Sequence, residues 1–382
     1  SSWGGPGAVT YSVAPNLDPA PRVGRLRVGS ASFEVRQSGG EATTEGAIFV
    51  PVVLDVFGLA SSHFTSELTL TNRSSRDAAL RLTYTGAPGL GGGSGSATLT
   101  LPAGRQVVEP DALAFLARLG VPIAAGGNRG GTLSIGVRGA TSLSEVAATV
   151  RTTTAVADGR AGLAYAGTPV FKALEGSVYV CGLRENEADR SNLALQNAGG
   201  PAEGSVRLRV TRFASEGFGQ PVGDDVVLPP GGFAQLDGIM RGYGNGYVKV
   251  ERVEGSAPWY AYGVVNDRGN SDGSFIPPHA VDTAPIQELV VPAVLETGEY
   301  TTELVATNLS DEDRYFTLQL VSDQIDDTSH EARATLTVPR RQQVVLPNVL
   351  QYFRDFGAKG IAPAPSGSVG SLRQAASAAC TT

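Results

Sequence analysis

The sequence predicts an all-β chain built from tandem β-sandwiches, with one short helix per repeat and with incomplete modules at both ends. Three observations carry that expectation. Glycine (49) and proline (23) are abundant among 382 residues and aromatics are 7%, a balance suited to many short strands joined by turns. Apolar and polar residues alternate over short runs, the period of a strand covered on one face. The same pattern then recurs three times.

The repeats are anchored by three strand motifs that end in asparagine: "ELTLTN" (67–72), "NLALQN" (192–197) and "ELVATN" (303–308). Each follows an apolar run ("IFVPVVLDVFG", "SVYVCGL", "ELVVPAVLETG") and precedes a second alternating strand ("ALRLTYTG", "SVRLRVTRF", "YFTLQLVSD"). A proline turn comes next, in "LTLPAGRQVV", "VVLPPGGFAQL" and "LTVPRRQQVVL". Asn72 to Pro102 spans 30 residues, Asn197 to Pro229 spans 32 and Asn308 to Pro339 spans 31. A helix candidate follows each turn. In "EPDALAFLARLG", Leu113, Leu116 and Leu119 share a face; in "LPNVLQYFRDFG", Val349, Tyr352, Phe353 and Phe356 do so; the second unit has only the shorter "QLDGIMRGYG". Units one and two return to strands in "GTLSIGVRG" with "SEVAATVRTTT" and in "GYVKVERVEG" with "PWYAYGVVNDRG". Unit three offers "GSVGSLRQAASAACTT" (367–382), of which "SVGSLRQ" suits one strand at most. The expected sandwiches cover residues 46–166, 167–283 and 284–382.

Residues 7–39 read as three short strands, with Val9, Tyr11 and Val13, then Leu26 and Val28, then Phe33 and Val35 alternating. Three such strands bury little core alone. The pattern G-x-V-T-Y-S-V (7–13), R-x-G-x-L-x-V (22–28) and F-x-V-x-Q (33–37) resembles the C-terminal half of a BACON-like domain, a bacterial immunoglobulin-like sandwich. The later units look like uncharacterised immunoglobulin-like repeats of large secreted bacterial proteins, on the strength of Val50–Pro51, "TSELTLTN" and "LPAG". The resemblance implies an extracellular or cell-surface location and a spacer or carbohydrate-binding role.

Candidate chemistry is sparse. The charge is −7, from 30 Lys and Arg against 37 Asp and Glu, with no basic run of the kind a nucleic-acid binder needs. No apolar run reaches membrane-spanning length. His63, His279 and His330 fall in three units without zinc-ligand spacing, and no G-x-S-x-G elbow exists. An enzyme is therefore not expected. "GLGGGSGS" leads into a strand, which suits a hairpin loop rather than a phosphate cradle. Asp267, Asn270 and Asp272 carry oxygens that calcium accepts, though Asx and Gly also make turns. Trp259 and Tyr262 are candidates for stacking on sugar; alternation sets Tyr260 and Tyr262 on one face and Trp259 on the other, and core packing is the competing role. Cys181 and Cys380 are disulfide candidates in an oxidising compartment, with a buried free thiol as the alternative.

An incomplete sandwich exposes strand edges that invite another strand. Spare strands at one end and a deficit at the other suggest head-to-tail partnership with other copies of the same chain by donor-strand complementation. A spacer array that binds carbohydrate is the alternative.

Overall fold

The computed structural model describes residues 10, 11, 13, 22–37, 46–58, 62–280, 288–322, 325, 331–364 and 367–377. Strands dominate, and all strand pairing among the described residues is antiparallel, much of it between strands far apart in sequence, such as residues 46–57 with 129–138 and 288–296 with 368–377. The first two, β1 (Arg22–Val28) and β2 (Ala31–Gln37), form a ribbon closed by a two-residue turn with Gly29 at φ 61°.

Unit 1 comprises β3 (Gly46–Phe57), β4 (His63–Asn72), β5 (Ala78–Gly86), β6 (Ser94–Leu101), β7 (Gln106–Glu109), α1 (Ala112–Arg118), β8 (Arg129–Arg138), β9 (Val146–Val156) and β10 (Gly159–Ala166). Its first layer runs β3-β8-β5-β6; its second groups β7, β4, β9 and β10. A short pairing of β3 with β4 at Asp55, Val56 and Phe57 joins the layers. After the linker strand β11 (Thr168–Pro169), unit 2 follows with β12 (Val178–Arg184), β13 (Asp189–Asn197), β14 (Val206–Ala214), β15 (Gly219–Pro221), β16 (Val226–Leu228), β17 (Phe233–Leu236), β18 (Asn245–Glu254), β19 (Trp259–Asp267) and β20 (Gly273–Ile276). Its layers are β12-β18-β14, with β15 and β16 on β14, and β17-β13-β19-β20. A second linker strand, β21 (His279–Ala280), leads to unit 3: β22 (Glu288–Glu296), β23 (Leu304–Thr307), β24 (Arg314–Val321), β25 (Glu331–Val338), β26 (Gln343–Leu346), α2 (Val349–Asp355) and β27 (Ser368–Ser377). Here the first layer is β22-β27-β24-β25 and the second is β23-β26.

The asparagine that anchors each repeat has a physical role. Asn72 is fully buried; its Nδ2 donates to the carbonyls of Arg76, Leu101 and Pro102 at 2.7, 3.0 and 3.3 Å, and its Oδ1 accepts from the Ser74 amide at 3.0 Å. Asn308 makes the same set, to Glu312, Val338 and Pro339 and from Ser310. Asn197 donates to Gly204 and Leu228 and accepts from Gly199. One side chain thus ties the end of a second-layer strand to the chain just before the proline turn, which fixes the spacing seen in the sequence. Buried amides left without such partners would each cost about 1–3 kcal/mol.

A helix forms in two units, not three. Asp111 and Asn348 cap α1 and α2, accepting from the Ala114 and Gln351 amides at 2.9 and 3.0 Å. α1 buries Ala112, Leu113, Phe115 and Leu116 with Leu119 packed alongside; α2 buries Val349, Leu350 and Phe353, while Phe356 stays 52% exposed. In unit 2 the segment makes turns instead. Gly238, Gly242 and Gly244 adopt φ of 59°, 83° and 68°, which no right-handed helix accommodates, yet Ile239 and Met240 still plug the core.

Candidate assembly surfaces

The first layer of unit 3 aligns with those of its siblings, and one feature shows this best. The first strand of each unit bulges at the same place: between Val50 and Val53 in β3, Val180 and Leu183 in β12, and Val291 and Val294 in β22. Opposite the bulge lie Gly131, Gly246 and Gly370. A Cβ there would run into the Thr85, Phe213 and Val321 carbonyls respectively, so only glycine lets the strands cross. β27 is therefore the counterpart of β8 and β18, and the closing strand of the first layer is supplied by the chain itself.

The second layer differs. β4 is flanked by β7 and β9, and β13 by β17 and β19. β23 pairs with β26 on one side, and among the described residues no strand lies on the other. Leu304 and Ala306 of β23 point into the unit 3 core, while Val305 and Thr307 face unit 2, whose Gly182 lies beside Val305.

The predicted assembly strands are partly realised. Leu26, Val28, Phe33 and Val35 lie on β1 and β2, with Leu26 opposite Phe33 and Gly24 opposite Val35. Tyr11 and Val13 belong to no strand among the described residues and are 53% and 46% exposed, so two of the three expected strands are present there; Val9 lies outside the described residues. The ribbon pairs with no other strand among the described residues, and Val23 and Phe33 are more than half exposed.

The sugar-stacking candidates offer no face. Trp259 is fully buried in the unit 2 core, and Tyr262 is 2% exposed. Tyr262 lies at the junction of units 1 and 2, in an aromatic seam with Tyr165 (5.5 Å), Phe275 (5.3 Å) and Tyr260, which meets Phe49 at 5.2 Å. Burial pushes the Tyr165 and Tyr262 hydroxyls well above the usual range, so both stay neutral. One oxygen of each calcium candidate accepts a backbone amide: Asp267 Oδ1 from Gly269 and Asn270 and Asn270 Oδ1 from Asp272, within the turn, and Asp272 Oδ1 from Gly162 of unit 1. Cys181 is a free thiol half-buried against unit 3; burial pushes it up to about 11, partly offset by a hydrogen bond with Thr307. Cys380 lies outside the described residues. No described helix is long and apolar enough to cross a membrane.

The second junction is polar. Gln343 is 5% exposed; its Oε1 accepts from the Gly182 amide at 2.8 Å and from the Thr307 hydroxyl at 3.0 Å, and its Nε2 donates to Asn245 Oδ1 at 3.1 Å. Beside it Arg184 is held charged chiefly by its paired hydrogen bonds to Glu303, one of them 2.8 Å. Sequence reasoning missed these junction residues. Their signal was present in the positions flanking each proline turn and in the shared Gly-x-Leu/Val of "GTL", "GYV" and "GSL". No family model, curated protein or solved structure matches the chain.

Proposed function

We propose that this chain is an extracellular structural protein whose copies join head to tail by strand complementation. The observation that carries the reading is that β23 pairs on one side only among the described residues, whereas its counterparts β4 and β13 are flanked on both edges. An unpaired edge presents backbone N–H and C=O groups to any strand that can dock. The internal precedents specify what fits. β9 sets Val150 and Ala148 opposite Leu68 and Leu70, and β19 sets Gly263 and Ala261 opposite Leu193 and Leu195. A donor for β23 thus runs antiparallel and places small or β-branched residues opposite Leu304 and Ala306. The N-terminal ribbon supplies short alternating strands that pair with nothing else among the described residues. Contacts of this kind join unlike ends and propagate as filaments unless rotation closes a ring.

The test is light scattering and electron microscopy on the full chain and on a chain lacking residues 1–40. Concentration-dependent oligomers or filaments from the first, and monomers from the second, are expected. Monomers from both sink the reading, and monomers that bind glycans favour the carbohydrate-binding spacer array instead.

A further inference from the structure

The two internal junctions are built alike. At the first, Thr132 Oγ1 donates to the Gly231 carbonyl of unit 2 at 2.6 Å. At the second, the Tyr247 hydroxyl donates to the Arg341 carbonyl of unit 3 at 2.9 Å. Thr132 and Tyr247 occupy one position: each follows the bulge-facing glycine, and they pair with Thr85 and Phe213 in register. Gly231 and Arg341 also occupy one position, the third residue of the proline turn, with φ of 69° and 60°. Unit 3 carries the donor position as Ser371, paired with Val321. Unit 1 carries the acceptor position as Gly104, with φ 63°. Neither the Ser371 hydroxyl nor the Gly104 carbonyl has a hydrogen-bond partner among the described residues.

The surroundings agree. Phe49 and Tyr179 are 1% and 7% exposed where the linker strands β11 and β21 pair beside them; their counterpart Val290 is 58% exposed, with Val369 at 55% nearby. On the opposite end, Gln343 of unit 3 is buried against unit 2, while its counterpart in unit 1, Gln106, is exposed and Val108 beside it is 48% exposed. One end of the chain thus displays the receiving face of the junction, and the other end displays the docking face.

Resting on the head-to-tail reading, we infer that the first unit of one copy packs on the outer face of β22, β27 and β24 of another copy, Ser371 donating to Gly104, as a third instance of the internal junction. The occupant is a second copy because only the surface already matched twice within the chain is required.

Cysteine pairing tests the geometry. A Cβ on Gly231 lies 3.2 Å from Thr85 Cβ, close to the separation a disulfide spans, and Val321 is the counterpart of Thr85. Arg341 shows that a side chain is accommodated at the turn position. In a Cys181→Ser, Cys380→Ser background, Gly104→Cys chains mixed with Val321→Cys chains should give a disulfide heterodimer under mild oxidation, and Gly104→Cys mixed with Glu254→Cys should not. Ser371→Ala should weaken self-association roughly fivefold, the loss expected for one neutral hydrogen bond, with an unchanged thermal melt. Oligomers that form without the 104–321 crosslink overturn these surfaces and leave strand complementation standing. Monomers at every concentration overturn both.

Discussion

Replacing Asn197 with alanine tests the claim that the repeats are held by their buried asparagines. The side chain donates to the Gly204 and Leu228 carbonyls at 3.0 and 3.1 Å and accepts from the Gly199 amide at 2.9 Å. Asn197 is fully buried, so water does not replace these bonds. Three neutral bonds at about 1 kcal/mol each give a loss of about 3 kcal/mol. The backbone bond from the Asn197 amide to the Gly232 carbonyl survives the change. A unit of this size has a urea m-value of roughly 1.5 kcal/mol/M, so the transition should move down by about 2 M. Trp259 sits directly opposite Asn197 in the ladder and is fully buried, which makes its fluorescence a reporter for unit 2. A Trp3→Phe parent leaves Trp259 as the single tryptophan of the two in the chain. Asn197→Asp keeps the acceptor and loses both donors, and should lose most of the same stability. The exposed Gln220→Ala serves as the neutral control. A midpoint shift below about 0.5 M for Asn197→Ala would refute the clamp.

Three further outcomes are expected. Gly246→Ala should lose at least about 2 kcal/mol by urea titration, because the new methyl meets the Phe213 carbonyl and Met240, while Gly176→Ala, with open space around it, should lose far less. With its thiol pushed up to about 11 by burial, Cys181 in a Cys380→Ser chain should alkylate at pH 8 at about a hundredth or less of the rate of the urea-unfolded chain. The native rate should climb with pH toward 11, and the raised thiol stabilises the fold below pH 9.0 and loses that contribution as pH rises to about 11; equal native and unfolded rates at pH 8 would contradict the burial. Asp111→Ala removes the cap on α1 and should cost about 1 kcal/mol in thermal unfolding, with Asp111→Asn close to neutral.

Strand identity was legible from alternation because a half-covered sheet imposes period two on its residues, and the strands of units 1 and 2 fall where that period lies. The asparagine–proline spacing was legible because one side chain physically bridges those positions. The helix of unit 2 was misread because apolar Ile239 and Met240 satisfy the helical pattern while three glycines at positive φ settle the backbone otherwise. Tyr262 and Trp259 were correctly placed on opposite faces, yet periodicity could not say that both faces of that sheet are covered, one by the unit's own core and one by unit 1.

The sequence by itself determined the all-β class, the threefold repeat and its anchors, since these depend on residues within reach of one another along the chain. Only the tertiary structure decided that β27 enters the middle of its sheet, that β23 has one strand neighbour among the described residues, and that Ser371 and Gly104 hold the positions used twice at the internal junctions. Those facts come from pairings between strands distant in sequence, where register and crossing glycines select the partner and local composition is silent.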